Sequence, residues 1–475
     1  MVTLRAVTFP RGSGSKSHEG LHSTAETPDN RAMTVASGHA DRPDAGTRAG
    51  DTHPDYAALF ARRVAEAGPP LMRAGAGGAA GVIPLTYGFP DPGSFPVADL
   101  IEASRAVLAG NAANALQYGP IAGPVSMLNL LVAKLAGEGI SVTHDNLVVT
   151  SGGSQGIDLV THLVINPGDT MLVEAPTFIG ALQTFRNAEA NLLEVPIDEH
   201  GLDVVALESV LLQARADGVR PKLLYTIPTF HNPAGVTLAA ERRPRVIELA
   251  REYGFLILED DAYSELRFAG ESLPSLYSLD PEGCVIQVRT FSKILAAGLR
   301  LGYLVTPAPL LSRLLQLKVD VGTSPFGNHV AAMYAADAAS LTGRLDTHIL
   351  ELRAIYRERR DAMLGALTEY APDGVTWTVP EGGFFTWLTL PEGMDAAKIG
   401  PAAQAAGVSF IPGVSYFAGG GGARNLRLAF SYLPPDQLVE GVRRLMTVVS
   451  GGSRPLVSSG YDESGVAAEF ARGRR

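Results

Sequence analysis

Cysteine is nearly absent from this chain of 475 residues, in which Cys284 is the only one. One cysteine cannot form an intrachain disulfide, so we expect a reducing compartment, the cytoplasm. Long apolar runs are absent as well. No stretch is long enough to predict a transmembrane helix, and the N-terminus lacks the continuous apolar segment of a signal peptide. The sequence therefore predicts a cytoplasmic protein without a membrane partner.

The chain also lacks an excess of positive charge, because its formal net charge at pH 7 is −10. Nucleic acids and anionic membrane surfaces attract basic patches, so this balance argues against both as partners. Hydrophobic residues make up 46% and charged residues 19% of the sequence, which is ordinary for a globular enzyme. No metal site is predicted.

The two ends of the chain differ in composition from its middle. Residues 1–52 are rich in polar and small residues, lack hydrophobic periodicity and are predicted to be a disordered extension. Residues 53–95 are assigned to an N-terminal arm and small-domain segment, 96–328 to a large domain, 329–450 to a small C-terminal domain and 451–475 to a disordered tail. A chain of this length can bury the core of such an enzyme.

Short apolar runs that alternate with helical stretches predict an α/β fold. These runs are continuous, which is typical of strands in a mostly parallel sheet that is covered on both faces. They span residues 147–150, 170–174, 222–226, 255–260, 285–288 and 302–305. Residues 348–367 then show helical periodicity, and 383–388 and 425–430 are interpreted as strands of a smaller α+β domain. Ligands of such sheets bind beyond the carboxyl ends of the strands.

Lys293 follows small hydroxyl residues in Thr290-Phe291-Ser292-Lys293, and Arg300 comes seven residues later. A lysine that reacts with an aldehyde must lose its proton, while hydroxyl groups and a guanidinium are suited to hold a phosphate beside it. This combination favours a Schiff-base lysine with pyridoxal phosphate as cofactor. Taken alone, the segment is equally compatible with a surface lysine at the start of a helix.

A glycine-rich turn between a predicted strand and a predicted helix is a second candidate for phosphate binding. It contains Gly152, Gly153, Ser154 and Gln155. Glycines allow close approach of the backbone, and a helix N-terminus offers free N–H groups and the positive end of the helix dipole. The alternative is a tight turn without a ligand.

Asp260 ends a predicted strand, in Glu259-Asp260-Asp261-Ala262-Tyr263. A carboxylate at this place can pair with the pyridine nitrogen of the cofactor and keep it protonated, and Tyr263 can donate to the cofactor's 3′ oxygen. A helix cap or a solvated acidic pair is the alternative.

Asn232 follows another predicted strand and is a candidate for binding the same phenolic oxygen, although Asn next to Pro also suits a turn. His231 is interpreted as a loop residue and not as a general base, because the sequence offers it no acidic partner. Phe178 is a candidate for stacking on the pyridine ring, or else a core aromatic residue.

Arg427 lies between Leu426 and Leu428 on a predicted strand. A charged residue is seldom buried without a partner, and a guanidinium can clamp a carboxylate with two hydrogen bonds. We therefore expect Arg427 to bind a substrate carboxylate. A structural salt bridge on an edge strand is the alternative.

Together these motifs resemble the fold type I pyridoxal-phosphate-dependent aminotransferases, in particular the branch of 2-aminoadipate and kynurenine aminotransferases. The same domain occurs in regulators of the MocR class. The resemblance runs from about Tyr56 to Met446 and includes further motifs in matching order. These are Tyr87-Gly88-Phe89-Pro90-Asp91-Pro92, Leu116-Gln117-Tyr118-Gly119-Pro120, Gly382-Gly383-Phe384-Phe385-Thr386-Trp387 and Gly407-Val408-Ser409-Phe410-Ile411-Pro412-Gly413. The implied fold is a large domain around a mostly parallel seven-stranded sheet, with a small α+β C-terminal domain.

The resemblance implies a role for each matching residue. Lys293 would carry the cofactor and move the proton, Asp260 would pair with the pyridine nitrogen, and Asn232 and Tyr263 would bind the 3′ oxygen. The residues implied around the phosphate are Gly153, Ser154, Gln155, Thr290, Ser292 and Arg300. Arg427 would bind the substrate α-carboxylate, with Gly88 and Tyr87 near the substrate. Tyr118 would reach the active site of a neighbouring subunit, which implies a homodimer with shared active sites.

The chain departs from the family pattern in places. Phe178 stands where relatives usually have tyrosine, Tyr87 where they commonly have glycine, and Ala297 where proline is usual. The turn Gly152-Gly153-Ser154-Gln155-Gly156 replaces the more frequent Ser-Gln-Gln-Ala. These changes leave the cofactor machinery in place and bear on the substrate pocket, which decides the fate of the carbanion.

Three functions are weighed on this basis. The first is an aminotransferase that moves an amino group between an amino acid and a 2-oxo acid. The second is a specialised enzyme of secondary metabolism that uses the same cofactor for elimination, replacement or C–C bond formation on an amino-acid-like substrate such as S-adenosylmethionine. The third is a regulator with an N-terminal winged helix, which is disfavoured because residues 1–52 lack helical periodicity.

Overall fold

The computed structural model describes residues 56–61, 63, 64 and 81–451, which belong to two units divided between Leu59 and Phe60. The described part of the first unit contains the short helix α1, Tyr56–Leu59. All other elements belong to the second unit. The segments predicted to be disordered lie outside the described residues, apart from Gly451 at the edge of the tail. The proposed domain boundaries stay a prediction.

The strands that the structure describes in the second unit form three sheets. They are β1 (Ile83–Pro84), β2 (Leu147–Thr150), β3 (Thr170–Ala175), β4 (Asn191–Asp198), β5 (Gly201–Leu202), β6 (Leu223–Thr226), β7 (Leu256–Asp261), β8 (Val285–Thr290), β9 (Gly302–Val305), β10 (Thr376–Trp377), β11 (Phe385–Thr389), β12 (Val408–Ser409), β13 (Ile411–Pro412) and β14 (Asn425–Ala429).

The helices of this unit connect the strands and cover the sheets. They are α2 (Val97–Ala115), α3 (Val125–Gly137), α4 (Gly153–Val164), α5 (Ile179–Asn187), α6 (Val204–Ala216), α7 (Arg242–Tyr253), α8 (Leu276–Leu279), α9 (Ala308–Leu317), α10 (Pro325–Ala335), α11 (Gly343–Tyr370), α12 (Ala396–Ala405) and α13 (Pro435–Val449).

The main sheet has the spatial order β2-β9-β8-β7-β6-β3-β4-β5. The central pairs from β8 through β7, β6 and β3 to β4 are parallel, whereas β9 runs antiparallel to β2 and β8. The expected mostly parallel sheet is therefore confirmed, but with eight strands instead of seven. The additional strand is the two-residue β5, which pairs antiparallel with β4.

Helices pack on both faces of the main sheet because its central strands are apolar on both sides. Met171 and Val173 of β3 pack against α4 and α5, in a core that includes Phe185. Leu172, between them, points to the opposite face and packs with Leu207 of α6 and Val246 of α7. The alternation follows from the period of two residues in a strand.

A smaller antiparallel sheet has the order β10-β11-β14-β13, and β1 pairs in parallel with β12. The long helix α11 packs against α13 behind these strands. The strands expected at 383–388 and 425–430 correspond to β11 and β14. Within the described residues, no helix is both long enough and apolar enough to cross a membrane.

Gly302 begins β9 at a point where the backbone is too crowded for a side chain. A Cβ atom there would lie 2.6 Å from the carbonyl carbon of Gly152 and 2.9 Å from the carbonyl oxygen of Arg289. Both neighbours are main-chain atoms of adjacent strand ends, so neither can rotate away.

We predict that Gly302→Ala lowers the free energy of unfolding by about 1–3 kcal/mol, as expected for overpacking, and displaces the turn at Gly152. Gly298→Ala is the matched control, because a Cβ at this exposed glycine would meet no atom within 4 Å. Urea unfolding of the two variants measures the difference. Equal midpoints would contradict the crowding at Gly302.

Candidate active site

Lys293 lies just beyond the carboxyl end of β8, in the single π-helical turn Ser292–Ala296. Its Nζ donates to the carbonyl oxygen of Gly88 at 3.0 Å and lies 5.5 Å from the ring centre of Phe384. Burial, reinforced by the positive charges of Arg427 and Arg300, lowers the pKa of Lys293 to about 8. A larger fraction of this amine than of an ordinary lysine is therefore unprotonated near neutral pH, as a nucleophilic lysine requires.

Three consecutive acidic residues end β7, and all three are buried. Successive side chains of a strand point to opposite faces, which separates their roles. Glu259 accepts from the backbone N–H groups of Leu276 and Tyr277, and Asp261 lies 3.2 Å from Nε of Arg289. Asp260 alone points to the other face.

Asp260 accepts a hydrogen bond of 2.6 Å from the hydroxyl of Tyr225 on β6. Burial raises the pKa of Asp260 to about 6, while the Tyr225 hydrogen bond acts in the opposite direction. A buried carboxylate with a raised pKa is short of compensating positive charge. A protonated pyridine nitrogen would supply that charge, so Asp260 fits the predicted role.

The glycine-rich turn and the Lys293 segment meet at the N-terminus of α4. Gly152 precedes this helix with φ of 75°, and no side chain caps the helix there. A Cβ at Gly152 would lie 2.6 Å from a guanidinium nitrogen of Arg300, and one at Gly153 would lie 3.9 Å from Cβ of Thr290. The hydroxyl of Thr290 also donates to Ser292 Oγ at 2.9 Å. Free N–H groups, hydroxyls and an exposed guanidinium thus converge, which fits a phosphate.

The other two predicted residues of this turn differ from each other. Ser154 is exposed in the first turn of α4. The side-chain oxygen of Gln155 instead accepts from the backbone N–H of Ser151 at 2.6 Å, so it closes the turn itself.

Arg427 and Asn232 form the opposite side of the site. Nη1 of Arg427 donates to Oδ1 of Asn232 at 2.9 Å, and Nη2 donates to the carbonyl oxygen of Thr86 at 2.7 Å. The guanidinium lies 4.1 Å from the ring centre of Phe385 and 5.4 Å from that of Tyr416. Among the described residues, no carboxylate is within salt-bridge distance of Arg427: its Nη atoms bond to an amide oxygen and a carbonyl, and its Nε is buried without a hydrogen-bond partner. The structural salt bridge considered above is therefore not formed.

The remaining predicted residues are less directly connected to this centre. Tyr263 is buried beside Lys293, with the amine 6.0 Å from its ring centre, and burial raises its pKa. Phe178 precedes α5 and packs over Gly180, where a Cβ would come within 2.5 Å of its ring. Tyr87 stacks on Phe89 at 5.1 Å. The side chain of Tyr118 is at the surface and 79% exposed.

Two polar side chains next to the site, Glu174 and Tyr225, were not identified from the sequence, and the reason given for the interpretation of His231 as a loop residue was wrong. His231 does have an acidic partner, since its Nε2 lies 3.1 Å from Oε2 of Glu174. Glu174 is a charged residue in the apolar run of β3, just as Arg427 is a charged residue between two leucines. The sequence therefore contained a signal that could have identified Glu174. Tyr225 gave no signal, because a tyrosine in a buried strand is ordinary.

The chain matches the family model "Aminotransferase class I and II" over residues 80–445. It is 42% identical to aromatic-amino-acid aminotransferase 1 of Thermococcus litoralis over 372 residues, which cover 78% of this chain and 88% of that protein. It is 37% identical over 376 residues to 2-aminoadipate transaminase of Thermus thermophilus, covering 78% and 91% of the two chains. The solved kynurenine aminotransferase of Pyrococcus horikoshii, in complex with PMP, superposes with a TM-score of 0.78 at 37% identity, covering 84% and 99%.

The chain therefore belongs to the class I and II aminotransferase family. This membership confirms the expected fold type I architecture, the pyridoxal phosphate cofactor and the transfer of an amino group between an amino acid and a 2-oxo acid. It does not favour the alternative of elimination or C–C bond formation.

The raised pKa of Asp260 predicts how its replacement changes stability. In the cofactor-free folded protein this pKa is about 6, against an ordinary 3.8, so the folded state holds the proton more tightly than the unfolded chain. Stability is therefore lost as the pH rises from about 4 to about 6, and the full cost above that range is roughly 3 kcal/mol.

Asp260→Asn removes this cost. We expect the cofactor-free variant to be more stable than the wild type at about pH 8, with a gain roughly 1 kcal/mol smaller at about pH 5. Urea unfolding of both proteins at the two pH values measures the gain. A gain of equal size at both would show that the charge of Asp260 is not its source.

Proposed function

We propose that the chain transaminates aromatic amino acids at a site centred on Lys293, and that it does so as a cytoplasmic homodimer. The observation that carries the proposal is that one site contains two basic side chains with different roles. Lys293 has a pKa lowered to about 8, and Arg427 is buried without an acidic partner among the described residues. The first suits a reacting amine, the second a fixed receptor for a carboxylate.

When bound, pyridoxal phosphate supplies an aldehyde for the amino group and an aromatic ring that withdraws electrons from the α-carbon. The phosphate is assigned to the N-terminus of α4, with Gly153, Ser154, Thr290, Ser292 and Arg300 around it. Asp260 is assigned to the pyridine nitrogen, and Phe178 to the face of the ring. Gln155 is assigned an indirect role, through the turn that it closes.

The α-carboxylate of the substrate is assigned to Arg427, which Asn232 and the carbonyl of Thr86 hold in a fixed orientation. Asn232 and Tyr263 are assigned to the 3′ oxygen of the cofactor. Lys293 is assigned the transfer of the proton from the α-carbon, and its hydrogen bond to Gly88 indicates where the amine is held when it is free.

An aromatic substrate is supported by the aromatic side chains on both sides of Gly88, the residue whose carbonyl accepts from Lys293. Tyr87, next to Gly88, stacks on Phe89, and both rings meet Tyr432 edge to face at 5.7 and 6.1 Å. Aromatic rings favour such stacked and edge-on neighbours. The names of two relatives, an aromatic-amino-acid and a kynurenine aminotransferase, support the same substrate class.

A homodimer is supported by an apolar surface around Tyr118. Leu116, Tyr118, Val319 and Val321 are 70%, 79%, 91% and 57% exposed. Their two segments touch, because a Cβ at Gly322 would lie 2.7 Å from the carbonyl oxygen of Gly119. Exposed apolar patches of this kind mark interfaces, and the proposed partner is a second copy of the chain.

The dimer is tested by Val319→Asp, a change of a highly exposed residue that is expected to leave the fold of one subunit intact. Light scattering should show the mass of a dimer for the wild type and of a monomer for the variant, with activity lost in the latter. A monomeric wild-type protein with full activity would exclude the shared active site.

Transamination is tested by mixing the cofactor-loaded protein with single amino acids. We expect phenylalanine and tyrosine to convert the bound cofactor to pyridoxamine phosphate, seen as a change of its absorption band, and aspartate to do so much more slowly. Absence of pyridoxamine phosphate with every donor would contradict transamination. Aspartate as the fastest donor would contradict the aromatic substrate class.

Two variants connect this reaction to the site. Lys293→Ala should abolish turnover, because it removes the amine that is assigned to carry the cofactor and to transfer the proton. Arg427→Gln should raise KM for phenylalanine about 100-fold or more, as expected when a charge-assisted clamp is lost. Normal turnover of the first variant would overturn the assignment of Lys293.

A further inference from the structure

His231 is buried, with 1% of its surface exposed, and both of its ring nitrogens have hydrogen-bond partners. Its Nε2 lies 3.1 Å from Oε2 of Glu174, and the backbone N–H of Ala234 points to its Nδ1 at 3.3 Å. The amide can only donate and a carboxylate accepts, so the neutral tautomer with the proton on Nε2 satisfies both contacts. With no ring nitrogen left free, His231 is unsuited to act as a general base.

Glu174, whose carboxylate accepts from His231, is itself held at the ends of two strands. Glu174 lies on β3, and it accepts from the hydroxyl of Thr226 at 2.6 Å and from the backbone N–H of Ile227 at 2.8 Å. These two donors are at the end of β6. Glu174 therefore joins the carboxyl ends of two adjacent strands, and the loop after β6 is attached to the same point through His231.

That loop carries Asn232, the next residue. Asn232 is 5% exposed, and its Oδ1 receives the hydrogen bond of 2.9 Å from Arg427. The loop is closed by backbone bonds from His231 to Val236 and from Gly235 to His231. A continuous series of short contacts thus leads from Glu174 through His231 and Asn232 to the guanidinium of Arg427.

We propose that His231 is a positioning residue for recognition of the substrate carboxylate. By donating to Glu174 it fixes the loop that holds Asn232, and Asn232 in turn fixes the orientation of Arg427. The inference rests on the role proposed above for Arg427. According to this proposal, the hydrogen bond between His231 and Glu174 affects the affinity for the substrate, and not only the stability of the fold.

Two substitutions separate the two contacts of the ring. His231→Gln places an amide N–H at the position of Nε2 and can still donate to Glu174. His231→Asn retains an acceptor near Nδ1, but it is too short to reach Glu174. The probe is 3-phenylpropionate, a carboxylate without an amino group, and its affinity for the cofactor-loaded protein is measured by calorimetry beside KM and kcat for phenylalanine.

We expect the Asn variant to bind 3-phenylpropionate about tenfold or more weakly and to raise KM by a similar factor, with a smaller change in kcat. The Gln variant should stay within about threefold of the wild type in each quantity. In an Asn232→Ala background, His231→Asn should cause no further loss of affinity, because two residues that act through one path are not additive.

A lower melting temperature of the Asn variant with unchanged affinity would reduce His231 to a structural residue and overturn the proposal. Equal losses in the Gln and Asn variants would do the same, since the bond to Glu174 would then not be the cause. If the Asn variant does not fold, His231→Leu replaces it, because leucine fills a similar space without a donor for Glu174. The same weakening is then expected, and unchanged affinity would overturn the proposal.

Arg427→Gln separates this inference from the proposed function. If that variant binds 3-phenylpropionate normally, the role of Arg427 is wrong and the inference is overturned with it. If that variant binds weakly while His231→Asn binds normally, the role of Arg427 stands and this inference alone is overturned.

Discussion

The burial of charge at the carboxyl edge of the main sheet is the constraint on which the active site depends. Asp260 and Arg427 are close enough to Lys293 to affect its pKa, and both are almost completely buried. A buried charge is costly unless a partner compensates it. Here the protein compensates each group only in part, and the cofactor and substrate bring groups of complementary charge and hydrogen-bonding capacity.

Each of these three charged groups has a neutral hydrogen-bond partner in the protein, and the rest of the group stays available to a ligand. Tyr225 contacts one oxygen of Asp260, Gly88 offers only a carbonyl to Lys293, and Asn232 offers only an amide oxygen to Arg427. A full salt bridge at any of these points would stabilise the free protein but would compete with the ligand. The site therefore exchanges stability of the empty protein for affinity toward a charged ligand.

Much of this arrangement could be predicted from the sequence, for identifiable physical reasons. Short apolar runs mark β2, β3 and β6–β9, because strands buried on both faces must be apolar throughout. β4 was missed because it is only partly buried, with a mixed pattern. Arg427 was found because a charge between two leucines needs a partner, Asp260 because it ends a predicted strand, and Lys293 because small hydroxyl residues precede it and Arg300 follows it. The partner of His231 was missed because Glu174 is 57 residues away along the chain. Only the pairing of β3 with β6 brings them together.

The connection of Arg427 to Thr86 has a consequence for the synthesis of the chain. These residues are separated by 341 positions, and β1 pairs with β12 at a similar separation. The residues assigned to the phosphate, in contrast, all lie between Gly153 and Arg300. During synthesis, the strands and helices that carry these residues leave the ribosome well before β14. Domains fold from the N-terminal side as they emerge. The nascent protein can thus assemble a receptor for the phosphate before it has a receptor for the amino acid.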